Sequence, residues 1–255
     1  MSSIAERRAA FRALHASGCF AIPNPWDGGS AQRMEKAGFK ALASTSAGAA
    51  WALGKVDGQM SLEEVLDHLR FLVGVTGLPV NADFEAGFAD TAQGVAANVA
   101  KAVETGVAGL SIEDKDPRTG GFFPIEEAVA RIEAARAAID RTGSGVMLVG
   151  RCEAYLMKTL DLEEVIRRLS AYAEAGSDVL YAPGIKTLEP TAEIVRRVTL
   201  PVNANLTATG ASVDDFARIG VRRVSVGGAL AKAAFAAVDG LVERLAASGK
   251  LSEGY

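Results

Sequence analysis

The segment Pro79-Val80-Asn81-Ala82-Asp83-Phe84-Glu85 joins a short apolar run to a cluster of acidic side chains. Two later segments, Gly109–Asp114 and Met147–Arg151, repeat this order and are mainly apolar until they end in charged residues. A short apolar run bounded by Gly or Pro is typical of a buried parallel strand. Charged groups at the tips of such strands add nothing to the core, but in a barrel of parallel strands the tips converge on one mouth. The pattern predicts a pocket that holds several carboxylates and one arginine.

Strand-like segments recur along the whole chain and alternate with amphipathic stretches. The predicted strands are Cys19–Ile22, Ala41–Ser44, Val80–Asp83, Gly109–Ile112, Val146–Val149, Val179–Tyr181, Val202–Ala204 and Arg223–Val226. The predicted helices are Ala31–Ala37, Leu62–Gly74, Thr91–Thr105, Ile125–Arg141, Leu162–Ala175, Thr191–Val198, Val213–Ile219 and Ala229–Ala247. We therefore predict one (β/α)8 TIM barrel domain over residues 1–255. A doubly wound open sheet is the alternative, although it usually has fewer strands.

Local signals mark several helix ends. Ser61 followed by Glu64 predicts a capping box, and Thr159 or Asp161 is a candidate cap for the helix that begins at Leu162. Glycines stand just before several predicted strands, where left-handed helix caps are expected: Gly38, Gly106, Gly176 and Gly220.

The composition excludes several classes of function. Apolar residues make up 49% of the chain and charged residues 23%, and the net charge of −4 gives no basic surface for nucleic acid. No apolar stretch approaches the roughly 18 residues of a membrane span, and the charged N-terminus lacks the apolar segment of a secretory signal. Cys19 and Cys152 are expected to be buried free thiols in a reducing, cytoplasmic setting. His15 and His68 lie in helical stretches and are expected to be packing or surface residues.

Oxygen-bearing side chains at two adjacent strand tips predict a metal site. Alternation puts Asn81 and Asp83 on one side of their strand, and Glu113 ends the next one. A few oxygen ligands supplemented by water suit Mg²⁺, with Mn²⁺ as the alternative. Asp57, in the loop after the second strand, is a further candidate carboxylate. The other interpretation is a solvated turn, in which Asp and Asn are common.

Arg151 is the single basic residue among these tips. A guanidinium held at the barrel mouth would bind a substrate carboxylate through two parallel hydrogen bonds. The alternative is a structural ion pair with Glu153, which follows it closely in the chain.

Small polar residues follow other strands of the predicted barrel. The segment Thr45-Ser46-Ala47 offers hydroxyl and backbone N–H groups that suit an oxyanion, although it equally suits a plain turn. Asn203, Asn205 and Thr207 offer neutral donors for a second carboxylate. The Ser225–Gly228 turn is similar to the phosphate-binding end of many barrels, which is weak evidence by itself.

Several linked motifs, in order from about Phe20 to Gly228, resemble the isocitrate lyase/phosphoenolpyruvate mutase superfamily. They are Asn24-Pro25-Trp26-Asp27 with Ser30-Ala31, Thr45–Gly48, Asn81–Gly87, Ser111–Asp114 and Gly150–Ala154. The resemblance implies a phosphoenolpyruvate/pyruvate-type barrel, assembled as a homodimer or homotetramer with the last helix exchanged between subunits. It also implies Mg²⁺ at the mouth and α-oxo or α-hydroxy carboxylate substrates.

Residue roles follow from the same resemblance. Metal ligands would come from Asn81, Asp83 and Glu113. Asp57, Asp83 and Glu113 would hold the metal mainly through water, and substrate contacts would come from Thr45, Ser46, Ala47, Arg151 and Asn205. The catalytic groups would be Asp57, Arg151 and Lys115.

Departures from the family pattern narrow the expected reaction. Asn81 stands where the family usually has a metal-binding aspartate, and an amide oxygen is a weaker Mg²⁺ ligand. The segment Asp114–Phe123 has no Cys or His in place of the lyase loop Lys-x-Cys-Gly-His, which argues against an isocitrate lyase acting through that cysteine. The Asn-bearing loop of the mutase and of phosphonopyruvate hydrolase is also missing. Ala182-Pro183-Gly184 replaces the glutamate that tricarboxylate lyases carry.

The leading hypothesis is a Mg²⁺-dependent C–C bond lyase or decarboxylase that acts on a small 2-oxo- or 2-hydroxydicarboxylate through an enolate. The Asp114–Phe123 segment would close over the substrate, with Lys115 or Arg118 supplying positive charge. One alternative is P–C bond chemistry of the phosphonopyruvate hydrolase or mutase type. The other is a barrel that binds an α-oxo acid without turnover, which Asn81 favours.

Overall fold

The computed structural model of the protein describes residues 2–159, 161–206 and 210–251. Eight parallel strands form one sheet in the order β1-β8-β7-β6-β5-β4-β3-β2. Their bounds are β1 (Phe20–Ile22), β2 (Leu42–Ala43), β3 (Val80–Asp83), β4 (Gly109–Glu113), β5 (Met147–Arg151), β6 (Val179–Tyr181), β7 (Val202–Asn205) and β8 (Arg223–Ser225). At the seam between β1 and β2, the Ala43 amide donates to the Pro23 carbonyl at 3.0 Å. The predicted (β/α)8 barrel is confirmed.

Helices lie between the strands and at both ends of the described chain. They are α1 (Ile4–Leu14), α2 (Gly28–Lys36), α3 (Ser46–Ala52), α4 (Leu62–Val75), α5 (Ala92–Glu104), α6 (Ile125–Thr142), α7 (Ala154–Met157), α8 (Leu162–Glu174), α9 (Leu188–Arg197), α10 (Val213–Arg218) and α11 (Ala229–Ser248). The sequence analysis missed α1, α3 and α7. Only Phe11 of α1 is buried, so its apolar periodicity is weak, and α3 and α7 are short, with 7 and 4 residues.

Most predicted caps are present. Ser61 and Glu64 form the expected capping box, and Asp161 rather than Thr159 accepts the Glu164 amide at the start of α8. The expected glycine caps are confirmed, since φ is 91° at Gly38, 92° at Gly106, 101° at Gly176 and 88° at Gly220. Two helices begin earlier than predicted: Asp27 caps α2 at Gly28 through the Ser30 amide, and α9 begins at Leu188 after Thr187.

The barrel interior has an apolar floor. Phe11 of α1 is fully buried and packs against a cluster that includes Ile22, Met147 and Val149. Arg8, also on α1, donates hydrogen bonds of 2.7 and 2.9 Å to carbonyls that precede β4. The helix that the sequence analysis missed therefore closes the amino-terminal end of the barrel and leaves the carboxyl end as the mouth.

Cysteines and histidines follow the expectations in part. Cys152 is buried and Cys19 is half-buried, so the expectation of two buried thiols is wrong for Cys19, which precedes β1; both are free. His15 is buried edge-on against Phe11 and Phe20, with ring centroids 4.8 and 5.0 Å away, and is a packing residue as expected.

The terminal helix α11 carries an exposed apolar surface. Within this fully described helix only Ala231 is buried, while Val238 and Val242 are 54% and 57% exposed. The exchange of this helix between subunits stays a prediction. No described helix combines the length and apolar character needed to cross a bilayer.

Candidate active site

A cavity of about 280 Å³ opens at the carboxyl ends of the strands. Alternation decides which side chains enter it, because Asn81, Asp83 and Arg151 point inward while Ala82 packs outward. The strand residues that line it are Ala43, Asn81, Asp83, Ser111, Arg151, Tyr181, Asn203, Asn205, Arg223 and Ser225. The tips of these strands therefore meet at one mouth, as the segment Pro79–Glu85 predicts.

Arg151 lies at the centre of an acidic cluster. Its Nη1 donates to Asp83 Oδ1 at 3.0 Å and its Nε to Glu153 Oε1 at 2.5 Å, while Nη2 stands 3.5 Å from Glu113 Oε2. The side chains of Arg151 and Asp83 are each only 16% exposed, which strengthens these interactions. Arg151 both lines the cavity and pairs with Glu153. Binding of a substrate carboxylate and a structural ion pair with Glu153 are therefore geometrically compatible. The role of Arg151 in substrate binding stays a prediction.

The carboxylates around Arg151 exceed the positive charge available to them. Burial, opposed by Arg151, raises the pKa of Glu113 well above its usual value. Burial, followed by repulsion from Asp83 and Asp57, raises the pKa of Glu85 to about 7. The Oε1 atom of Glu85 is buried and has no hydrogen-bond partner within the described residues. This half of the mouth is therefore short of positive charge.

The backbone around Glu85 is held in an unusual conformation. Glu85 and Phe88 have φ values of 45° and 54°, in the left-handed region that non-glycine residues rarely adopt. The Glu85 carbonyl accepts the Glu113 amide at 3.0 Å. Glu85 is thereby fixed beside Glu113, where the sequence analysis placed it only in a loop.

The segment Thr45-Ser46-Ala47 begins the short helix α3. Thr45 is the N-cap, and its hydroxyl accepts the Gly48 amide at 3.3 Å. The Ser46 amide donates to Asp83 Oδ2 at 3.0 Å, so one backbone donor already holds a carboxylate. Gly48 is required here, because a Cβ would stand 2.9 Å from Trp26 Cβ. The predicted loop of small residues lines the cavity, and its oxyanion role stays a prediction.

The predicted residues Asp57 and Lys115 lie at the rim. Asp57 is exposed and lines the main cavity as well as two side cavities that also contain Glu85 and Glu113. Lys115 is exposed, lines only the side cavities among those described, and forms an antiparallel bridge with Phe122. Arg118 is paired with Asp116 at 2.9 Å and does not line the main cavity.

The opposite half of the mouth is built from amides and hydroxyls around Arg223. Its Nε donates to Asn203 Oδ1 at 2.9 Å, and its Nη1 lies 3.4 Å from Asn81 Oδ1. Arg223 is 3% exposed, and its burial lowers its pKa to about 10, so it stays charged at neutral pH. The sequence analysis missed this residue. An arginine that alternates with Ser225 in a buried strand is the signal that points it inward.

Neighbouring polar groups complete this half. Asn203 Nδ2 donates to Ser225 Oγ at 3.0 Å, and Asn205 Nδ2 lies 3.4 Å from the Tyr181 hydroxyl. Asn24 accepts the amides of Val226 and Gly227 at 3.0 and 2.9 Å and thereby fixes the turn after β8. Asn205 thus lines the cavity as a neutral donor, while Thr207 lies outside the described residues.

The acidic half has the donor chemistry that Mg²⁺ requires. Within the described ranges, no three His, Cys, Asp or Glu side chains already stand in position to enclose a metal ion. Asp57, Glu85 and Glu113 nevertheless line one side cavity, Asp83 is linked to Glu113 through Arg151, and Glu85 Oε1 has no hydrogen-bond partner among the described residues. Hard oxygen ligands supplemented by water are typical of Mg²⁺. Asn81 is directed toward Arg223 instead, two residues below Asp83 on the same side of β3.

Comparison with known proteins agrees with this architecture. The family model described as phosphoenolpyruvate phosphomutase matches residues 11–246. The 2-methylisocitrate lyase of Escherichia coli (strain K12) is 32% identical over 185 residues, which span 70% of this chain and 62% of that protein. The oxaloacetate decarboxylase of Pseudomonas putida (strain GB-1) is 32% identical over 244 residues, or 91% of this chain and 81% of that protein.

A solved structure of a protein from Burkholderia cenocepacia J2315 superposes on this one with a TM-score of 0.94 and 44% identity. The superposition covers 97% of this chain and 91% of that chain. The chain belongs to the isocitrate lyase/phosphoenolpyruvate mutase superfamily, a family of lyases and mutases.

Proposed function

We propose that the protein is a Mg²⁺-dependent C–C bond lyase or decarboxylase that acts on a small 2-oxo- or 2-hydroxydicarboxylate through an enolate. The observation that carries this proposal is a cavity of about 280 Å³ in which Asp57, Asp83 and Arg151 stand opposite Arg223 and its amide neighbours, while Glu85 and Glu113 line side cavities that share Asp57. Such a cavity suits a small acid that brings its own negative charge. The relatives named as a lyase and a decarboxylase support this reaction class.

Mg²⁺ would be held by Asp83 and Glu113, with Asp57 and Glu85 beside them; Asn81, predicted as a weaker amide ligand, has its amide oxygen directed toward Arg223 instead. When bound, it would stabilise the negative charge that develops on the substrate's oxo oxygen. The alternative Mn²⁺ has the same preference for oxygen donors.

The chain's own groups would orient the substrate. Arg151, fixed by three carboxylates, has one rigid position and would hold a carboxylate so that the scissile bond keeps a productive angle. Thr45, Ser46 and Ala47 line the cavity where α3 begins and would approach the substrate's oxygens. Asn205 would bind a distal group. These roles of the predicted site residues are proposals.

The Asp114–Phe123 segment is the proposed cover. Asp114, the first residue of this segment, is held in place by hydrogen bonds from the Tyr172 hydroxyl at 2.7 Å and from Arg168 at 3.2 Å. Lys115, which follows this anchor, is exposed beside the side cavities of Glu85 and Glu113. It would supply positive charge when the segment closes, while the anchored Asp114 serves as its fixed end.

The test is product release from a panel of dicarboxylates. Oxaloacetate, substituted malates and methylcitrate-type acids are incubated with the protein and Mg²⁺, and pyruvate and glyoxylate are measured. We expect release from at least one acid and a loss of at least about 100-fold in Glu113→Gln. Glu163→Gln is the matched control, because Glu163 is an exposed acid on α8. Absence of both products from every acid would refute the proposal.

The same experiment includes phosphonopyruvate, whose phosphorus NMR signal is followed to detect P–C bond cleavage. This substrate is included because the matching family model is named for a phosphomutase. Loss of the phosphonate signal with no C–C cleavage would replace the lyase assignment.

We also propose that α11 packs against a second copy of the chain, in a homodimer or homotetramer. Its exposed Val238, Val242 and Leu245 form an apolar surface on a helix that makes little contact with its own barrel. Val242→Glu should lower the mass measured by light scattering, and an unchanged mass would contradict this assembly. A cytoplasmic location, with no membrane or nucleic-acid partner, remains part of the proposal.

A further inference from the structure

Arg223 is a buried cation that enters the cavity from β8. It is 3% exposed and alternates with Val224, which packs on the other side of the strand in an apolar cluster with Phe216 and Val221. Arg223 and Ser225 therefore both face the cavity that they line. The guanidinium is fixed by the strand and not by a mobile loop.

The surroundings of Arg223 are neutral. Its guanidinium donates to the amide oxygens of Asn203 and Asn81, at 2.9 and 3.4 Å. In the part of the chain that the structure describes, no carboxylate lies within ion-pair distance of it. Arg151 differs in this respect, because it contacts three carboxylates within 3.5 Å.

A buried guanidinium without a counter-charge is unfavourable. Desolvation removes its hydration, and two amide acceptors replace only part of it. Asn81 matters here because an aspartate at this position would ion-pair with Arg223 and neutralise it. The neutral amide keeps Arg223 in place and leaves its charge available to an anion from the cavity.

We propose that Arg223 binds a carboxylate of the substrate at the floor of the cavity and thereby selects dicarboxylates over monocarboxylates. Asn203 and Ser225 flank it as neutral hydrogen-bonding groups. The identity of the substrate as a 2-oxo- or 2-hydroxydicarboxylate rests on the proposed function, whereas the anion site rests on Arg223 alone. One carboxylate would then lie near the acidic half with its metal, and the second would pair with Arg223.

The experiment compares malate with lactate, two 2-hydroxy acids that differ by one carboxylate. Binding of each to the full chain in Mg²⁺ is measured by titration calorimetry. We expect the wild type to bind malate at least about 10-fold more tightly than lactate, and Arg223→Gln to lose that preference while lactate affinity stays unchanged. Arg223→Lys should retain part of it, because the charge remains but the planar fork is lost.

Two further variants separate binding from folding. Asn81→Asp keeps Arg223 and nearly the same volume, but places a carboxylate beside the guanidinium; the malate preference should fall here as well. Arg8→Gln is the matched control, since Arg8 also donates only to neutral oxygens but lies at the closed end of the barrel. If Arg223→Gln does not fold, Arg223→Lys and Asn81→Asp decide the question.

Each outcome has a defined meaning. An Arg223-dependent malate preference without turnover of any dicarboxylate supports this inference and refutes the proposed reaction. Turnover with a malate preference that survives Arg223→Gln overturns the inference and leaves the reaction standing. No binding of malate by the wild type overturns it too. Inorganic phosphate that binds through Arg223 while malate does not would assign the site to a phosphate and overturn the carboxylate assignment.

Discussion

Each half of the barrel mouth contains an arginine, half-buried at Arg151 and buried at Arg223, and the two arginines have opposite surroundings. Arg151, at the tip of β5, contacts Asp83, Glu113 and Glu153. Arg223, in β8, donates to the amide oxygens of Asn81 and Asn203. One half therefore has more negative charge than its arginine compensates, and the other half has positive charge that no carboxylate of the described ranges compensates.

The difference shows that the partners of a buried arginine decide what it can do. A guanidinium surrounded by carboxylates is needed for stability, because each of those carboxylates depends on it. A guanidinium surrounded by amides does not stabilise a neighbouring carboxylate, and its charge can therefore pair with an anionic ligand. The acidic half accordingly suits a cation and, once that cation is bound, a carboxylate beside Arg151, whereas the amide-lined half suits an anion directly.

The largest expected effect is on Arg151. Arg151→Gln should lower the free energy of unfolding by about 3–5 kcal/mol at neutral pH, because two half-buried carboxylates and the buried Glu153 lose their counter-charge. Urea unfolding followed by circular dichroism measures this change. Arg151→Lys is the control that keeps the charge and should recover part of the loss. An unfolding midpoint for Arg151→Gln equal to that of the wild type would contradict the account of the acidic half.

The second effect concerns Glu85. Its folded pKa of about 7 lies above the ordinary 4.5, so the folded state loses stability as pH rises from 4.5 through 7. Glu85→Gln should therefore stabilise the metal-free protein above pH 7 by up to about 3 kcal/mol, and not at pH 4.5. Thermal unfolding at both pH values measures it. Glu163→Gln is the control, because Glu163 is an exposed acid that pairs with Arg197. Equal changes in the free energy of unfolding at both pH values would exclude the charge of Glu85 as the cause.

A smaller effect is expected for Arg223. Arg223→Met should change the free energy of unfolding by less than about 2 kcal/mol, because no carboxylate in the described part of the chain pairs with Arg223 and a desolvated charge is removed. Urea unfolding beside Arg151→Met gives the matched comparison. A loss for Arg223→Met as large as that for Arg151→Met would mean that the two halves do not differ in the way described.

The smallest effect is on His15, below the amide-lined half. Burial first, and then the charge of Arg223, lowers the pKa of His15 to about 4. Because that value lies below the ordinary 6.5, His15 opposes folding as pH falls from 6.5 to 4. Arg223→Gln should raise the His15 pKa by about one unit or less, since burial remains. NMR titration of the ring protons measures it, with Arg8→Gln as control. A pKa unmoved by Arg223→Gln would place that charge out of reach of His15.

Much of the barrel was predictable from local sequence. Apolar runs such as Met147–Arg151 are unambiguous because a parallel strand is buried on both sides. A glycine before several of these strands marks a helix end through its positive φ, as at Gly106. Helix α1 was not predictable in this way, because its burial depends on Phe11 entering the barrel floor and not on an apolar face of its own.

The site was predictable in its residue types and less so in its pairings. Asp83, Glu113 and Arg151 follow from their positions at strand tips, and they do lie together. Arg223 and Glu85 did not follow, because one is hidden within a strand and the other lies in a loop whose backbone turns back beside Glu113.

The sequence by itself determined that this chain forms parallel strands whose polar tips share one mouth, because alternation and strand length are local properties. Only the tertiary structure decided which charges meet there. Asn81 and Arg223 are 142 positions apart, and their contact exists because closing the sheet brings β3 and β8 around one interior. Charge compensation depends on distance in space, so it could not be determined from order along the chain.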